Sequence, residues 1–252
     1  MGSAFPFEQR SMPDRAALLR ACVEPLVAMD RRFARTISIS GEIDAGLPFH
    51  GLPLGCVHEV ESRSLACGIA FASLLSARIP DLSGQMVYVA ADSSFHPLGL
   101  LSYGVPPERW IHVATRNSLD LAWTVLEALR CPRVSAVLAV TKAADLTLCR
   151  RWQLAAEGSG ATGFLLTDTA SQPAIASVIT RWQINSIPAL AGATFGEPYW
   201  AINLTYCRGG RPAQWRAVWR QDRLEQFSAP AGMPVPRPAL RAGFAAANKL
   251  AV

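Results

Sequence analysis

The middle of the chain alternates short apolar runs with longer segments that repeat apolar residues at helical spacing. Between residues 56 and 167 the runs have the length of buried strands, and the repeats between them have the length of helices. The predicted strands are residues 56–60, 85–91, 110–114, 134–140 and 162–167. The predicted helices are residues 64–79, a short one at 97–103, 118–129 and 147–157. Buried strands separated by helices predict an α/β fold whose mostly parallel sheet is covered on both faces.

Local signals describe two of these helices more closely. Ser64 precedes the first of them and is a candidate N-cap, because its side chain can accept a hydrogen bond from an N–H group of the first turn. The helix over 118–129 is amphipathic. Its spacing places Leu119, Ala122, Trp123 and Leu126 on one face.

The C-terminal part of the pattern predicts antiparallel structure. Residues 199–207 and 214–220 alternate with the period of a strand, and Gly209 and Gly210 between them favour a hairpin turn. The residues predicted to share one face of the second strand are Trp215, Ala217 and Trp219. We therefore expect an antiparallel hairpin to extend the sheet.

The remaining segments define three parts of the chain. Residues 14–35 have helical spacing and residues 36–40 favour a short strand, so we expect residues 1–40 to form an N-terminal arm. Glycine and proline punctuate residues 41–55, which predicts an ordered loop at the start of a core over 41–228. Proline, glycine and alanine dominate residues 229–252, which predicts a flexible basic tail.

Composition supports one large folded α/β domain. The chain has 252 residues, of which 50% are hydrophobic, so a sizeable core can form and a disordered chain is excluded. No run of 18 apolar residues is present, and the N-terminus has no apolar segment of the secretory kind. We expect a soluble cytoplasmic protein that does not enter a membrane.

Positive charge is concentrated at the C-terminal end. Residues 1–204 contain 16 basic and 17 acidic residues, whereas residues 205–252 contain 8 basic and 2 acidic residues. The net charge of +5 therefore comes from the last fifth of the chain. A basic end of this kind suggests an acidic partner, either nucleic acid or protein, although exposed arginines also serve solubility alone.

The sequence contains no recognisable catalytic or metal-binding constellation. Six cysteines are each at least eleven residues apart, which favours free thiols over a zinc site. His96 has no neighbouring nucleophile, His58 lies inside a predicted strand, and Ser93 and Ser94 lack the glycines of a nucleophile elbow. We expect no catalytic residue, no bound metal and no enzyme activity.

The first predicted strand and helix are joined where nucleotide-binding α/β proteins carry a phosphate loop. Such a loop needs glycines, a lysine for the phosphates and a serine or threonine for magnesium. Residues 61–71 read ESRSLACGIAF and provide no lysine and no glycine–lysine–hydroxyl sequence. We therefore expect no nucleotide cofactor.

The segment before this connection resembles the same region of RecA-type recombinases. It reads GEIDAGLPFHGLPLGCVHEV over residues 41–60, and it sets a register without gaps. In that register Ser62 replaces the first glycine of the loop, Gly68 replaces the lysine and Ile69 replaces the magnesium-binding hydroxyl. The resemblance implies a RecA-like fold with a degenerate phosphate loop. The acidic residue expected after the strand at 134–140 is also absent, and Asp145 is the nearest acid.

Longer segments resemble the ImuA family, a RecA-like group of translesion repair proteins that is also described as SulA-like. The matching segments include SLDLAWTVLEALRCP over 118–132, DLTLCRRWQLAAEGSGATGFLL over 145–166 and CRGGRPAQW over 207–215. The resemblance implies a non-catalytic accessory protein of SOS-induced mutagenic translesion DNA synthesis. Its implied partner is ImuB, a relative of Y-family polymerases, with an error-prone C-family DNA polymerase contacted indirectly. RecA and single-stranded DNA are further candidate partners.

Arginines near the loops that face DNA in RecA-like proteins are candidate contact residues. The first candidates, Arg150 and Arg151, lie in a predicted helix, where a solvated helix face is the alternative interpretation. Arg181 and Trp182 could hold single strands by base stacking, whereas Trp182 in the core and Arg181 on the surface is the alternative. The candidates at the basic end are Arg208, Arg211, Arg216, Arg220, Arg237 and Arg241.

Two other functions remain as alternatives at this point. One is a SulA-like cell-division inhibitor that acts on the tubulin-like division protein, which the shared description of the two groups suggests. The other is an ATP-hydrolysing recombinase, which the missing lysine disfavours.

Overall fold

The computed structural model describes residues 35–80, 84–91, 95–141, 145–168, 177–190 and 193–228. These residues belong to one compact unit, Arg35–Val252, which is separated from Met1–Ala34 by the pattern of contacts. The predicted tail over 229–252 lies outside the described residues. So does the helix predicted over 14–35, of which only Arg35 is described.

Eleven strands are described, and nine of them form one large sheet. A small antiparallel sheet joins β1 (Thr36–Ile37) to β2 (Leu52–Pro53). The strands of the large sheet are β3 (Val57–Ser62), β4 (Gln85–Ala90), β5 (Trp110–Ala114), β6 (Val134–Val140), β7 (Thr162–Asp168), β8 (Thr180–Ser186), β9 (Tyr199–Cys207), β10 (Ala213–Arg220) and β11 (Arg223–Gln226). Their order is β11-β10-β9-β8-β3-β7-β6-β4-β5. The pairs from β8 to β5 are parallel and the pairs from β11 to β8 are antiparallel, which confirms the predicted α/β fold class.

Helices cover the two faces of this sheet and create two separate cores. The α-helices are α1 (Gly41–Ala45), α2 (Leu65–Ala77), α3 (Ser118–Arg130) and α4 (Leu146–Ser159), and 3₁₀ turns cover Pro97–Tyr103 and Pro107–Arg109. On one face, α2 packs with residues of β3, β8 and β9 in the larger core. On the other face, α3 and α4 pack side by side over the central parallel strands.

An aromatic cluster joins α2 to the antiparallel end of the sheet. The Phe71 ring of α2 lies 5.8 Å from the Trp182 ring and 6.2 Å from the Trp200 ring, measured between centroids. Trp182 lies 6.3 Å from Trp215. Trp215 and Trp219 both contribute to this core, as does Ala217, so the predicted shared face of β10 is confirmed. Large aromatic surfaces buried together contribute strongly to the stability of this half of the domain.

The segment predicted as a loop over 41–55 contains α1 and β2. Asp44 organises its start, because the Asp44 carboxylate accepts hydrogen bonds from Ile39 N at 2.8 Å and Ser38 Oγ at 2.5 Å. Ile39 and Ile43 are buried in the larger core. The strand part of the predicted arm therefore pairs within the core unit, through β1 and β2, and residues 35–40 are anchored there.

Only part of the predicted apolar face of α3 is buried, namely Leu126 and, in part, Ala122. The residues of α3 that are buried against the sheet are Leu121, Val125, Leu126 and Leu129. Leu119 is 80% exposed and Trp123 is 66% exposed. Both stripes have helical spacing, so the spacing alone did not distinguish them, and contact with the underlying strands selects the stripe that begins at Leu121.

Two strands of the large sheet were not predicted, and both are rich in polar residues. β8 lies at the centre of the sheet, parallel to β3 and antiparallel to β9. β11 forms one edge of the sheet. In contrast, the predicted bounds of β5, β6 and β9 agree with the structure, and the β9–β10 hairpin turns at Gly209, whose φ is +76°.

Candidate functional site

The connection between β3 and α2, where a phosphate loop would lie, is only two residues long. Arg63 and Ser64 join the end of β3 to the first residue of α2. The Ser62 hydroxyl donates to Ser64 O at 2.6 Å, and Ser64 N donates to Ser62 Oγ at 3.3 Å. Arg63 N donates to Asn185 Oδ1 at 3.3 Å. Ser64 occupies the predicted N-cap position, although its side chain makes no capping hydrogen bond.

The residues aligned with the lysine and the magnesium-binding hydroxyl lie inside α2. Gly68 is buried, and a Cβ on it would lie 3.5 Å from Ser62 Cβ, 3.7 Å from Val60 Cγ1 and 4.0 Å from Leu166 Cδ2. Gly68 N and Cys67 N both donate to Ser64 O, so these amides are used in the helix. Ile69 packs against the larger core. A side chain at position 68 would therefore enter apolar surroundings between α2 and the sheet.

The acidic residue that follows β6 has a structural role. Asp145 is the N-cap of α4, and its Oδ1 accepts a hydrogen bond from Leu148 N at 2.7 Å. Thr141, which directly follows β6, is buried. Lys142 lies outside the described residues.

The candidates Arg150 and Arg151 lie on the solvent side of α4. Both side chains are exposed, and neither forms an ion pair with a described residue. Gln153, one turn further, is buried instead, where its Oε1 accepts from Val57 N at 2.9 Å and its Nε2 donates to Glu157 Oε1 at 2.9 Å. The two arginines are therefore accessible to a partner.

Arg181 and Trp182 lie in β8 rather than in a loop. The Arg181 Nε donates to Glu59 Oε2 of β3 at 2.5 Å, and the guanidinium lies 5.8 Å from the Tyr206 ring centroid. Trp182 is fully buried, and its Nε1 donates to Thr180 Oγ1 at 2.8 Å. Trp182 offers no exposed ring to a base in this structure, so the geometry agrees with the core alternative for that residue.

The arginines of the hairpin differ in how they are neutralised. Arg220 donates from Nε and Nη2 to the two carboxylate oxygens of Glu197, each at 2.6 Å, and this carboxylate raises the Arg220 pKa. Arg208 and Arg211, at the turn between β9 and β10, form no ion pair with a described residue. Arg216 is half-buried on β10. Arg237 and Arg241 lie outside the described residues.

His58 belongs to a buried hydrogen-bond chain, and its burial favours the neutral imidazole. Its Nε2 lies 2.9 Å from Pro53 O, which can only accept, so Nε2 carries the proton and Nδ1 accepts from the Thr180 hydroxyl at 2.7 Å. Burial lowers the pKa of His58 to about 4. Burial also raises the pKa of the neighbouring Cys56 thiol well above its usual value. Neither group is prepared for acid–base or nucleophilic chemistry near neutral pH.

Sequence reasoning missed three features of these surfaces. Glu59 was not identified as the partner of Arg181, although an acid within an otherwise buried strand is itself a signal for a buried ion pair. Glu197 was not identified as the partner of Arg220, and no sequence signal connects them. The exposure of Trp123 was also missed, and the alternative apolar stripe of α3 was the available signal.

The described residues provide neither a metal site nor a membrane-spanning helix. No three histidine, cysteine or acidic side chains among them come together in an arrangement suited to a metal ion. The cysteines that the structure describes are free thiols. The longest described helix, α4, has 14 residues, which is shorter than a bilayer-spanning helix requires.

Comparison with known proteins identifies the family. No family model matches the chain. The chain is 35% identical to Protein ImuA of Caulobacter vibrioides over 193 residues, which cover 69% of this chain and 78% of the relative. Protein ImuA of a second strain of that species gives the same identity and coverage. Identity at this level over most of both proteins, together with the α/β sheet described above, shows that the chain belongs to the ImuA family.

Proposed function

We propose that this protein is a non-catalytic accessory factor of SOS-induced mutagenic translesion DNA synthesis. Membership of the ImuA family supports a role in the ImuA–ImuB mutagenesis system. The proposal that the protein acts without catalysis is supported by the two-residue β3–α2 connection. Arg63 and Ser64 occupy the place of a phosphate loop there.

A triphosphate would find neither the lysine of a phosphate loop nor its magnesium-binding hydroxyl at the positions that such a loop requires. Phosphate loops surround the anion with free backbone N–H groups and a lysine ammonium. Here the amides of Arg63, Ser64 and Gly68 donate to protein oxygens instead. The position of the lysine is a buried glycine that faces Val60 and Leu166. ATP binding at this place is therefore not part of the proposed function.

The proposed partner is ImuB, through which an error-prone C-family polymerase is contacted indirectly. Among the described residues, Arg208 and Arg211 are the hairpin arginines best suited to an acidic surface, because no described carboxylate neutralises them. Arg220 is less suited, since Glu197 already neutralises it. RecA and single-stranded DNA remain candidate partners of the same basic end.

The direct test is binding of the full chain to purified ImuB and, separately, to the tubulin-like division protein. The proposal expects a complex with ImuB that survives size-exclusion chromatography and none with the division protein. Binding to the division protein alone would contradict the proposal and favour the cell-division inhibitor. A variant with Arg208→Glu and Arg211→Glu tests the basic end, and Arg223→Glu, on the exposed edge strand, is the matched control.

A further inference from the structure

β5 forms one edge of the large sheet, and its outer side is open. Among the described strands it pairs with β4 alone, in parallel. Thr115, directly after β5, donates from its backbone N to Ala90 O of β4 at 2.8 Å. The backbone groups of successive residues in a strand point to opposite edges, so Thr115 and every second residue before it face β4. His112 and Ala114 therefore direct their N–H and C=O groups outward.

The features that usually protect an edge strand are missing from β5. Charged residues or proline on an edge strand usually prevent it from pairing with another chain. β11, at the opposite edge of the sheet, has Arg223 and Glu225 among its four residues. β5 reads WIHVA, with no charged residue and no proline, and Ile111 is 45% exposed. An uncharged edge with open backbone groups favours pairing with a further strand.

Opposite charges lie at the two ends of β5. Glu108 precedes the strand by two residues, and Arg116 follows it by two. Both side chains are exposed, and neither forms an ion pair with a described residue. Arg109 lies between Glu108 and the strand, but its Nη2 donates to Gly84 O at 2.7 Å and to Ser135 Oγ of β6 at 3.3 Å. Because β6 lies beyond β4, the Arg109 guanidinium points away from the outer edge.

One further acid, Asp120, follows Arg116 closely in the chain. It lies in the first turn of α3, where it accepts a hydrogen bond from Asn117 Nδ2 at 2.9 Å and keeps its negative charge. No ion pair joins these two described side chains, Asp120 and Arg116. Asp120 therefore weakens the field of Arg116 from a distance without neutralising it by contact.

We propose that the outer edge of β5 pairs antiparallel with β5 of a second copy of this chain, about a twofold axis at His112. In an antiparallel pair, residues whose backbone groups face the partner strand lie opposite one another. With His112 opposite His112 of the other copy, each donates its N–H to the C=O of the other. Ala114 N–H then donates to Trp110 O of the other copy. Only the Trp110 N–H stays outside this pattern, because it already donates to Pro107 O.

The same register brings complementary side chains together. Residues equally far before and after His112 lie opposite one another, so Glu108 of one copy lies opposite Arg116 of the other, at both ends of the pair. Ile111 lies opposite Val113 of the other copy, on the face that α3 covers. Val113 is only partly buried in the core of that face. β-branched side chains that face each other across an antiparallel pair stabilise it.

A second copy fits this edge better than a strand of unrelated sequence. The strand that pairs with β5 needs a cation opposite Glu108 and an anion opposite Arg116. Another copy provides both by symmetry. β5 itself has no Asp, Glu, Lys or Arg, so two identical strands meet without repulsion between such groups along their length.

Sedimentation velocity of the full chain provides the test, at concentrations up to about 100 µM. The wild type should show an equilibrium between monomer and dimer. Glu108→Arg and Arg116→Glu each place like charges opposite one another at both ends, so each should weaken the dimer at least tenfold. An equimolar mixture of these two variants should recover the affinity, because the mixed dimer again has opposite charges at both ends. Arg223→Glu, on the opposite edge strand, is the matched control and should leave the dimer unchanged.

His112→Pro tests the backbone part of the proposal. Proline removes the outward N–H of His112, which β4 does not use, and proline is tolerated on an edge strand at such a position. The variant should be monomeric, and thermal unfolding checks that it is folded. The mixing experiment does not depend on this variant. Glu108 and Arg116 of one copy lie ~25 Å apart along an extended chain, so recovery in the mixture reports contacts between copies.

Three results would overturn this inference. The first is a wild type that stays monomeric at every concentration, even where His112→Pro loses ImuB binding, which would assign the edge to a strand of the partner. The second is a dimer that both charge variants leave unchanged. The third is a mixture that associates no better than either variant alone, since the contact would then lie elsewhere.

The inference goes beyond the proposed function, because self-association is measured without ImuB. A dimer that forms no complex with ImuB would refute the proposed function and leave this inference standing. A monomer that binds ImuB would do the reverse.

Discussion

Gly68 faces Ser62 across the start of α2: a Cβ added to Gly68 would be 3.5 Å from Ser62 Cβ. In the register inferred from the sequence, Gly68 corresponds to the phosphate-binding lysine of RecA-type recombinases and Ser62 to the first glycine of their loop. Gly68 is already inside α2 and Ser62 still belongs to β3, so neither residue lies in a loop. The sequence lacks the lysine and hydroxyl of a phosphate loop, and the structure joins β3 to α2 through only two residues.

Substitutions at Gly68 should show whether this position is a packed part of α2 or a site that can still bind phosphate. Gly68→Ala should raise the free energy of unfolding by about 0.5–1 kcal/mol, since its Cβ meets only ordinary contacts and alanine favours a helix. Gly68→Lys should lower it by several kcal/mol, because the ammonium would enter apolar surroundings near Val60 and Leu166. Urea denaturation followed by circular dichroism measures both. A stable lysine variant that gains ATP binding would contradict this description.

His58 should make stability depend on pH. Its pKa is about 4 in the folded protein and about 6.5 when unfolded, so the unfolded state binds the proton first as pH falls. The contribution of neutral His58 to the free energy of unfolding is therefore complete above pH ~6.5. The free energy of unfolding should decline by up to about 3 kcal/mol as the pH falls to ~4. Denaturation at several pH values should show this slope in the wild type. The slope of the free energy of unfolding against pH should be smaller in His58→Gln. It should be unchanged in the control His96→Gln, because His96 is exposed. Equal slopes in wild type and His58→Gln would refute the assignment.

The Arg181–Glu59 pair should be important for stability. Glu59 is buried, so removing its partner leaves a charge in the sheet, which typically costs about 3–5 kcal/mol. Arg181→Ala should therefore destabilise strongly, whereas Arg130→Ala, at the exposed pair with Glu127, should cost less than about 1 kcal/mol. Chemical denaturation of both variants makes the comparison. Similar small losses would show that the Arg181 pair is solvated and that this arginine is available to a partner.

Much of the sheet could be predicted because its strands are apolar and regular. β6 consists almost entirely of valine, alanine and leucine, and β9 alternates cleanly, so both could be placed to the residue. β8 could not be placed in this way, since Arg181, Gln183 and Asn185 interrupt its apolar pattern. Their burial depends on partners such as Glu59, which is 122 residues away in the chain. The burial of Gln183 likewise depends on a partner from another strand, because Asn203 Nδ2 donates to Gln183 Oε1 at 3.3 Å.

The candidate contact residues show the same limit. Exposure of Arg150 and Arg151 depends on how α4 lies on the sheet, and burial of Trp182 depends on α2 and Phe71. The buried face of α3 could be predicted only in part, because two stripes share one spacing and only the strands beneath the helix select between them. In contrast, the absence of a phosphate-loop lysine could be predicted from the sequence. The residues that would form such a loop are close together in the chain, so no distant contact is needed to align them.

The basic hairpin should contribute to partner binding through its unpaired arginines. Arg208→Glu with Arg211→Glu should weaken binding to ImuB or to single-stranded DNA at least tenfold, while Arg220→Gln should have little effect because Glu197 already neutralises it. If about four charge contacts form with single-stranded DNA, log affinity should fall with log salt with a slope near −3. A protein partner should show a weaker salt dependence and no competition from DNA.

Truncation completes this test of the basic end. Removing residues 229–252 takes away Arg237 and Arg241 without removing any strand of the hairpin. Unchanged binding to both ImuB and DNA in the truncated protein and in the Arg208/Arg211 variant would show that the basic end serves solubility alone.

The central claim is that this protein binds its partner as a non-catalytic component, without using ATP. Isothermal titration of ImuB into the full chain, with and without magnesium-ATP, tests both halves at once. We predict a complex whose affinity is the same in the two titrations. We also predict that ATP alone binds no more tightly than ~100 µM, which corresponds to about 5.5 kcal/mol. Absence of the complex, or an affinity that magnesium-ATP changes tenfold or more, would contradict the account.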